Sequence, residues 1–229
     1  MKIVAISDTH NRHKKLVIPP CDILITVGDY TSMGYEREVK DYHKWLNLQP
    51  ARYKITVQGN HELKVRDNFY HMKMIAQQEC PNVIFVEHEL VEIEGIKIFC
   101  SAWTPEFYNW AYNAARTLEA AQQMQIPYIK DKWDQIPLDI DVLAVHGPIS
   151  GIHDAVYRVD GVTISERVGC WHLGEKVIQL PKLKHFISGH LHSNNNVNSP
   201  YQFKGINFHC VCICDEQYYP SYEPTVIEL

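Results

Sequence analysis

Short apolar runs alternate with longer amphipathic stretches along much of the chain. The short runs are rich in Ile, Val and Leu and fit buried strands, whereas the longer stretches repeat apolar residues every three or four positions, as helices do. This pattern predicts strands at Lys2–Ser7, Asp22–Val27, Lys54–Gln58, Val83–Val86, Leu90–Ile93, Ile96–Ser101, Val142–His146, His185–Ser188 and Ile206–Ile213, with a last strand near Thr225–Ile227. It predicts helices at Glu36–Leu48, Leu63–Gln78, Asn113–Gln122, Ile129–Ile136 and Trp171–Gln179.

The order of these elements indicates how the strands pair. Strand and helix patterns alternate at first, which favours βαβ units with parallel neighbours. Across Val83–Ser101 the strands are separated by short turns, Glu87–Glu89 and Glu94–Gly95, which favour an antiparallel meander and a mixed sheet. The predicted fold class is therefore α/β to α+β, with sheets covered by outer helices. No repeat or linker interrupts the sequence, so residues 1–229 are expected to form one domain.

Composition and charge narrow the function classes. The 229 residues are 45% hydrophobic, enough to fill a substantial core, and carry a formal net charge of −5. Without a long run of Lys or Arg, binding of duplex nucleic acid through its phosphates is not expected. No apolar stretch has membrane-spanning length, and the N-terminal one is too short for a signal-peptide core. A cytoplasmic protein is expected, its seven cysteines mostly thiols. Cys210, Cys212 and Cys214 are interpreted as small buried hydrophobes.

A block of metal-binding residue types lies at the end of five predicted strands. The blocks are Asp8-Thr9-His10, Gly28-Asp29, Gly59-Asn60-His61-Glu62, His146-Gly147 and Gly189-His190-Leu191-His192. Because side chains at strand ends converge on one edge of a sheet, these residues are expected to share a site. The candidate ligands are three oxygen donors and four imidazoles, namely Asp8, Asp29, Asn60, His10, His146, His190 and His192. Seven donors exceed the needs of one tetrahedral ion and suit two adjacent ions.

Each block alone has an ordinary explanation, so the prediction depends on their joint order. Gly-Asp is a common turn dipeptide, and Asn60 could simply cap the following helix. In extended chain one intervening residue would point Asp8 and His10 the same way, and the two histidines of the last block likewise. The two oxygens of Asp29 could bridge two cations, and neutral Asn60 would preserve positive charge for an anionic substrate.

Taken together, the motifs Asp-x-His, Gly-Asp, Gly-Asn-His-Glu, His-Gly-Pro and Gly-His-x-His resemble those of the calcineurin-like metallophosphoesterase superfamily. They run from residue 8 to residue 192. Within it, four stretches resemble the group of metallophosphoesterase domain-containing proteins: Lys54–Leu63, Ser101–Phe107, Asp131–Asp134 and Arg167–Cys170. Some members of that group have a degenerate last metal motif, whereas Gly189–His192 is intact here.

The resemblance implies a fold and a distribution of ligands. The fold is a sandwich of two mixed sheets flanked by helices, with two divalent metal ions at one rim. One ion would be held by Asp8, His10, Asp29 and His192. The other would be held by Asp29, Asn60, His146 and His190, so that Asp29 bridges. The resemblance also places His61 beside the leaving-group oxygen as a catalytic residue and not as a ligand.

The chemistry expected of such a centre is hydrolysis of phosphate esters. Two dications about 3.5–4 Å apart lower the pKa of a bridging water, so hydroxide can attack phosphorus at neutral pH. Manganese is the favoured metal, with iron, zinc or nickel as alternatives, because ligand sets of oxygen and nitrogen choose weakly among them. A protonated His61 could protonate the departing oxygen, which is typically worth about 10²–10⁴-fold in rate.

The preferred function is a phosphodiesterase for a nucleotide-like or other small phosphate ester, and the resemblance suggests cyclic nucleotides as candidates. A phosphomonoesterase or protein phosphatase is the alternative. However, Gly28-Asp-Tyr-Thr-Ser-Met33 lacks the Asp-Arg-Gly continuation of protein phosphatases and therefore their phosphate-clamping arginine. A catalytically silent protein-binding scaffold would be expected to have lost ligands or His61, and all are present.

Several neighbours of the motifs have two interpretations. Glu62 could orient a ligand or serve as a first-turn helix acid. Contact with substrate phosphate is considered for Arg12 and His13, although a solvated loop is preferred. For Tyr30 and the Trp103–Trp110 segment, core or rim packing is preferred over a stacking wall. Structural roles are expected for four histidines that lack motif context, His153, His172, His185 and His209.

Overall fold

The computed structural model describes residues 1–157, 164–195 and 199–229. Its strands are β1 (Lys2–Ile6), β2 (Cys21–Val27), β3 (Ala51–Val57), β4 (Val83–Val86), β5 (His88–Ile93), β6 (Ile96–Ser101), β7 (Thr104–Pro105), β8 (Asn113–Ala114), β9 (Val142–Val145), β10 (Ala155–Tyr157), β11 (Ile164–Arg167), β12 (His185–Ser188), β13 (Tyr201–Phe203), β14 (Ile206–Cys210) and β15 (Thr225–Glu228). Its α-helices are α1 (Glu36–Asn47), α2 (Leu63–Asp67), α3 (Phe69–Glu79), α4 (Leu118–Met124), α5 (Ile129–Asp134) and α6 (Trp171–Val177). Single turns of 3₁₀ helix lie at His13–Lys15 and His192–Asn194.

Two mixed sheets form the centre of the molecule. The first has the order β15-β1-β2-β3-β4, in which β1 to β4 are parallel and β15 is antiparallel to β1. The second has the order β13-β14-β12-β9-β6-β5, with a parallel interior and an antiparallel strand at each edge. This arrangement confirms the predicted mixed α/β architecture with outer helices.

The sheets pack face to face, and helices cover their outer faces. Ile3 and Ile25 of the first sheet meet Ile98, Val142 and Ile187 of the second in one buried cluster. The alternate residues point outward, since Val4 and Leu24 pack under α1 and α3 while Leu143 and Phe186 pack under α5 and α6. Both faces of the central strands are therefore buried, which explains why their sequences read as continuous apolar runs.

The meander predicted across Val83–Ser101 is only partly correct. Strands β5 and β6 do form an antiparallel pair. However, β4 pairs in parallel with β3 and so belongs to the other sheet. At Glu87 the chain therefore passes from one sheet to the other. The turn-like sequence alone does not distinguish such a connection from a hairpin within one sheet.

Two predicted helices were wrong in extent. Leu63–Gln78 is divided between α2 and α3 because Asn68 leaves the helical region, at φ −140° and ψ 45°. Asn113–Gln122 is helical only from Leu118, since Asn113 and Ala114 pair with β7. Thr117 starts that helix, because its hydroxyl accepts a hydrogen bond of 3.2 Å from the Ala120 N–H.

The predicted strand Ile206–Ile213 also ends early, at Cys210, and beyond it Cys212 forms an isolated bridge with Ser7. Among the described residues, no helix combines the length and the apolarity that crossing a membrane requires.

Candidate metal centre

All seven candidate ligands lie at the carboxyl ends of strands on one rim of the sandwich. The first sheet supplies Asp8 and His10 after β1, Asp29 after β2 and Asn60 after β3. The second sheet supplies His146 after β9, and His190 and His192 after β12. The parallel pairing of these strands places their carboxyl ends together, as expected. The site is therefore built from both sheets.

The ligand loops adopt left-handed backbone conformations and not the extended chain that was expected. The φ angles are 53° at Asp8, 39° at His10, 52° at Asp29 and 71° at His190. Non-glycine residues rarely occupy this region, and they do so at functional sites where surrounding contacts hold them. Such contacts are present, since Asp8 N–H donates to Gly28 O at 3.1 Å and His10 N–H to Asp29 O at 3.0 Å. The argument from extended chain was therefore wrong, although the side chains do converge.

The glycines beside the ligands permit close approach of neighbouring loops. A Cβ on Gly28, which has φ 88°, would collide with the His146 ring and lie 2.8 Å from Gly59 Cα. A Cβ on Gly59 would meet the Asp29 carboxylate, and one on Gly189 would meet Ser7 and Asp8. Each glycine thus leaves the space that another loop's ligand occupies.

The first donor group consists of Asp8, His10 and His192, whose ligand atoms lie within 4.8 Å of one another. The Nε2 atoms of His10 and His192 are 3.2 Å apart, and His192 Nε2 is 3.5 Å from Asp8 Oδ1. On its other side, His192 Nδ1 contacts Asp215 O at 2.8 Å. A carbonyl can only accept, so Nδ1 carries the proton and Nε2 is directed at the site with its lone pair free in the neutral ring.

The second group, Asp29, His146 and His190, is equally close. His146 Nδ1 donates to Val27 O at 2.8 Å, and its Nε2 lies 2.9 Å from Asn60 Oδ1 and 3.3 Å from Asp29 Oδ2. Asp29 also belongs with His10 and His61 to a third group of the same size. It therefore lies between the two main groups, in the position of a bridging ligand.

The environment of Asp8 fits a cation. Its Oδ2 accepts hydrogen bonds from Ser7 Oγ, from His190 N–H at 2.9 Å and from Cys212 Sγ at 3.2 Å. Its Oδ1 is buried and makes no hydrogen bond. One oxygen is thus held by the protein, while the other is left for an ion. Cys212 is accordingly more than the small buried hydrophobe expected, although Cys210, Cys212 and Cys214 are indeed all buried.

The pKa values of the four candidate histidine ligands are shifted by burial and by the neighbouring carboxylates. Although burial opposes it, the neighbouring Asp29 carboxylate raises the pKa of His146 to about 10. His192 is likewise buried, yet Asp8 raises its pKa to about 9. Burial instead lowers the pKa of His10 to about 4 and that of His190 to about 3. The carboxylates thus attract positive charge to this rim, which protons on the first two rings carry in the absence of an ion, and the other two rings remain neutral donors, as metal binding requires.

Glu62 is a positioning residue for this centre and not a first-turn helix acid. Its Oε2 accepts from the N–H groups of Asp29 at 2.9 Å and Gly59 at 2.7 Å. Its Oε1 accepts from Thr31 N–H at 3.0 Å and Thr31 Oγ1 at 2.8 Å. Burial, followed by the nearby Asp29 carboxylate, raises the pKa of Glu62 to about 8. This carboxyl fastens the loops after β2 and β3 to each other.

His61 lies beside the donors with one nitrogen already committed. Its Nδ1 contacts Ser32 O at 2.9 Å, and its backbone N–H donates to Asp29 Oδ1 at 2.8 Å. Trp110 packs on the ring with centroids 4.3 Å apart, and His10 meets it edge-on at 4.7 Å. Because Nδ1 donates to a carbonyl, Nε2 carries a proton only when the ring is an imidazolium.

A cavity of about 610 Å³ opens over the donors. Five candidate residues contribute to its wall: Asp29, Asn60, His61, His190 and His192. Part of the Trp103–Trp110 segment does so too, through Phe107, Tyr108 and Trp110, so packing alone is not its role. Trp103 instead packs against Tyr112.

The other residues considered from sequence lie away from the cavity. Tyr30 is fully buried in the core, and its hydroxyl donates to Gln58 at 2.9 Å. Arg12 is exposed, as a loop residue would be. His13 is fully buried against Tyr42 and Trp45, so the solvated-loop interpretation was wrong for it. None of the four histidines expected to be structural (His153, His172, His185 and His209) lines the described cavity wall.

Sequence reasoning missed a turn beside the first donor group. The Asp215 carboxylate accepts from Gln217 N–H and Tyr219 N–H, both at 3.0 Å, and from Ser221 Oγ at 2.6 Å. This turn holds Tyr218 at φ 61°, with its ring 4.7 Å from that of His10. The only sequence signal is an Asp ahead of polar residues, which many surface turns share.

Comparison with known proteins agrees with the motifs. A family model described as calcineurin-like phosphoesterase matches residues 1–194. Metallophosphoesterase domain-containing protein 1 of Homo sapiens is 30% identical over 247 residues, covering 100% of this chain and 71% of that protein. A UPF0046 protein of Caenorhabditis elegans is 28% identical over 255 residues, covering 100% of this chain and 60% of that one. The crystal structure of phosphopantetheinyl hydrolase from Mycobacterium tuberculosis has a TM-score of 0.59 at 16% identity, covering 98% of this chain and 95% of that one, so the fold is shared.

Proposed function

The chain belongs to the calcineurin-like phosphoesterase family of metal-dependent hydrolases, and we propose that it is a phosphodiesterase for a small, nucleotide-like ester. The observation that carries the proposal is the convergence of seven donors on one rim, with Asp29 between two groups, beneath a cavity also lined by His61. Cyclic nucleotides are among the substrates to be tested.

In this proposal, Asp8, His10, Asp29 and His192 hold one divalent ion, and Asp29, Asn60, His146 and His190 hold the other. The free Oδ1 of Asp8 supports this assignment, as does the orientation of His146 and His192, whose Nδ1 atoms face main-chain carbonyls so that Nε2 is directed at the site. Bound ions would supply positive charge to the phosphoryl oxygens and lower the pKa of water toward neutrality. Manganese is the favoured metal, because the carboxylate and amide oxygens of Asp8, Asp29 and Asn60 suit it.

His61 is the proposed acid for the leaving group. Hydrogen bonding of Nδ1 to Ser32 O fixes the ring, and packing on Trp110 restricts its tilt. In the imidazolium form, Nε2–H is then the proton that the ring can deliver to a departing alkoxide. A neutral ring held in this way has no second proton to give, so the activity should depend on the protonated fraction.

A diester fits the cavity wall better than a monoester. A monoester carries up to two negative charges and is usually clamped by Arg or Lys next to the metals. Among the described residues of the wall, Arg116 alone belongs to that class, and its hydrogen bonds anchor it to the 168–169 main chain and not to a candidate metal ligand. Aromatic side chains line the wall near His61 and offer surface to a second ester substituent.

The test is hydrolysis of matched p-nitrophenyl monoesters and diesters with added Mn²⁺ and after chelation. We expect chelator-sensitive turnover, faster for diesters, that Asp29→Ala nearly abolishes. Asp139→Ala, which removes an exposed carboxylate paired with Lys97, is the matched control and should retain activity. Full activity in Asp29→Ala, or no turnover with any divalent metal, would refute the proposal.

The role of His61 is tested with a series of aryl diesters of rising leaving-group pKa. His61→Ala should retain metal and lose rate, with larger losses for poorer leaving groups. His71→Ala, at an exposed histidine, is the control. An equal loss across the series would show that His61 does not act as an acid.

We also propose that the protein acts in the cytoplasm, since none of its seven cysteines forms a disulfide. Imaging of the tagged chain in its own cells would test this compartment.

A further inference from the structure

Arg116 is a half-buried cation in the wall of the cavity above the candidate metal centre. Its guanidinium donates to Gly169 O at 3.1 Å through Nη1 and to Val168 O at 2.6 Å through Nη2. Within the described part of the chain, no carboxylate forms an ion pair with it at up to 4.0 Å. Among the described residues, its positive charge is therefore held in place by neutral partners, with no carboxylate paired to it.

The carbonyls that hold Arg116 are themselves fixed to the metal-site loop. Gly169 packs so closely on the Ile149 main chain that a Cβ would lie 2.6 Å from Ile149 C. Cys170 N–H donates to Pro148 O at 3.0 Å, and Ser150 N–H donates to Cys170 O at 3.2 Å. These contacts tie the 168–170 segment to the loop that follows His146. The position of Arg116 is thus set relative to the metal centre.

A guanidinium in this state is suited to an anion. It carries five N–H donors in one plane, and the two carbonyl contacts leave others free to contact a ligand. Partial burial weakens solvent screening, so an anion brought to it gains more than at an exposed arginine. Glu106, Glu166 and Glu216 also line the cavity, and Arg116 is the one Arg or Lys among the described wall residues that could attract a second anion.

We propose that Arg116 forms a second anion-binding subsite, so that the preferred substrate carries a further phosphate or carboxylate besides the scissile phosphodiester. This inference rests on the proposed phosphodiesterase function. It also gives a role to the Arg167–Cys170 stretch, whose carbonyls hold the subsite in place. The guanidinium contacts the distal anion and takes no part in bond breaking.

The experiment compares three substrates that share one leaving group. They are thymidine 5′-(p-nitrophenyl phosphate), its 3′-phosphate and its 3′-succinate ester, assayed with Mn²⁺. The wild type should prefer the 3′-phosphate or the 3′-succinate to the parent ester. Whichever of the two is preferred shows whether the subsite binds a phosphate or a carboxylate. Arg116→Gln should lower kcat/KM for the anionic substrates by about 10- to 100-fold, mainly through KM, as expected for a charged hydrogen bond.

Control variants distinguish anion binding by Arg116 from a purely structural role of this residue. Arg116→Gln can still donate to a carbonyl, and Arg116→Lys keeps the charge and should restore part of the preference. Arg52→Gln removes an exposed, Glu94-paired arginine and should leave all three rates unchanged. If Arg116→Gln lowered kcat/KM equally for the three substrates and also lowered Tm, Arg116 would only stabilise the 168–169 segment. That result would refute the proposed anion subsite.

A measurement of ligand binding tests the subsite independently of catalysis. Calorimetry should show that thymidine 3′,5′-bisphosphate binds the Mn²⁺-loaded protein more tightly than thymidine 5′-phosphate, and that Arg116→Gln removes the difference. If no diester is hydrolysed but this difference holds, the phosphodiesterase proposal fails and the subsite stands. If the two nucleotides bind equally to the wild type, the subsite is refuted.

Discussion

Protonation of His43 should destabilise the fold between pH 6.5 and pH 4. His43 lies on α1 with no exposed surface, packed against the rings of Tyr30, Tyr42 and Phe85. Its Nδ1 is 2.8 Å from Val39 O, and its Nε2 has no hydrogen-bond partner. Burial lowers the pKa of His43 from 6.5 to about 4. A proton therefore binds the unfolded chain more tightly, and the stability present above pH 6.5 is lost as the pH falls.

The magnitude follows from the two pKa values. The difference between 6.5 and about 4 corresponds to about 3 kcal/mol of unfolding free energy, fully lost only below pH 4. At pH 5 most unfolded chains carry the proton and few folded ones do, so the loss between pH 7 and pH 5 is about 2 kcal/mol.

The assay is urea unfolding at pH 7 and pH 5 for the wild type and for His43→Leu, which keeps an apolar side chain of similar volume. Between pH 7 and pH 5, the free energy of unfolding should fall by about 2 kcal/mol less in the variant than in the wild type. His71→Leu, at an exposed histidine, is the control and should fall as the wild type does. Other titrating groups are shared and cancel in the comparison. An unchanged pH dependence in His43→Leu would refute the reasoning.

Three further predictions concern the metal centre. Gly189→Ala should displace Asp8 and lower the bound metal measured by elemental analysis, whereas Gly174→Ala, with its nearest neighbour 3.9 Å away, should not. Glu62→Ala leaves buried N–H groups of the ligand loops without acceptors, at about 1–3 kcal/mol each, so both the urea midpoint and the affinity in a Mn²⁺ titration should fall. Asp215→Ala removes three hydrogen bonds from the turn that holds Tyr218. The kcat/KM should fall by about 5- to 30-fold at unchanged metal content. An unchanged kcat/KM would contradict a role of this turn in catalysis.

The convergence of the candidate ligands could be predicted from sequence because a simple rule brings them together. Parallel strands deliver their carboxyl ends to the same edge, so residues that directly follow β1, β2, β3, β9 and β12 must meet there. The glycines were informative for a related reason, since Gly28 and Gly189 leave room for another loop's side chain.

Other parts of the site depend on contacts that no local pattern encodes. Arg116 reaches the Gly169 carbonyl across 53 residues, and nothing near it in sequence marks it as part of a cavity wall. The left-handed backbone at Asp8 and His10 is imposed by the neighbouring loop after β2, so a rule for extended chain could not anticipate it. His13 is buried because α1 covers it, although its polar neighbours resemble a surface loop.

The distance along the chain between donors has a consequence for synthesis on the ribosome. His10 and His192 face each other within the first donor group, yet 182 residues separate them. At typical elongation rates, roughly 10–40 s pass between the appearance of one and the other. During that time a nascent chain offers at most the donors of its first sheet and His146. Under the proposed ligand assignment, a complete set of donors forms only late in translation, and a chain that stops before His190 would lack a donor of each group.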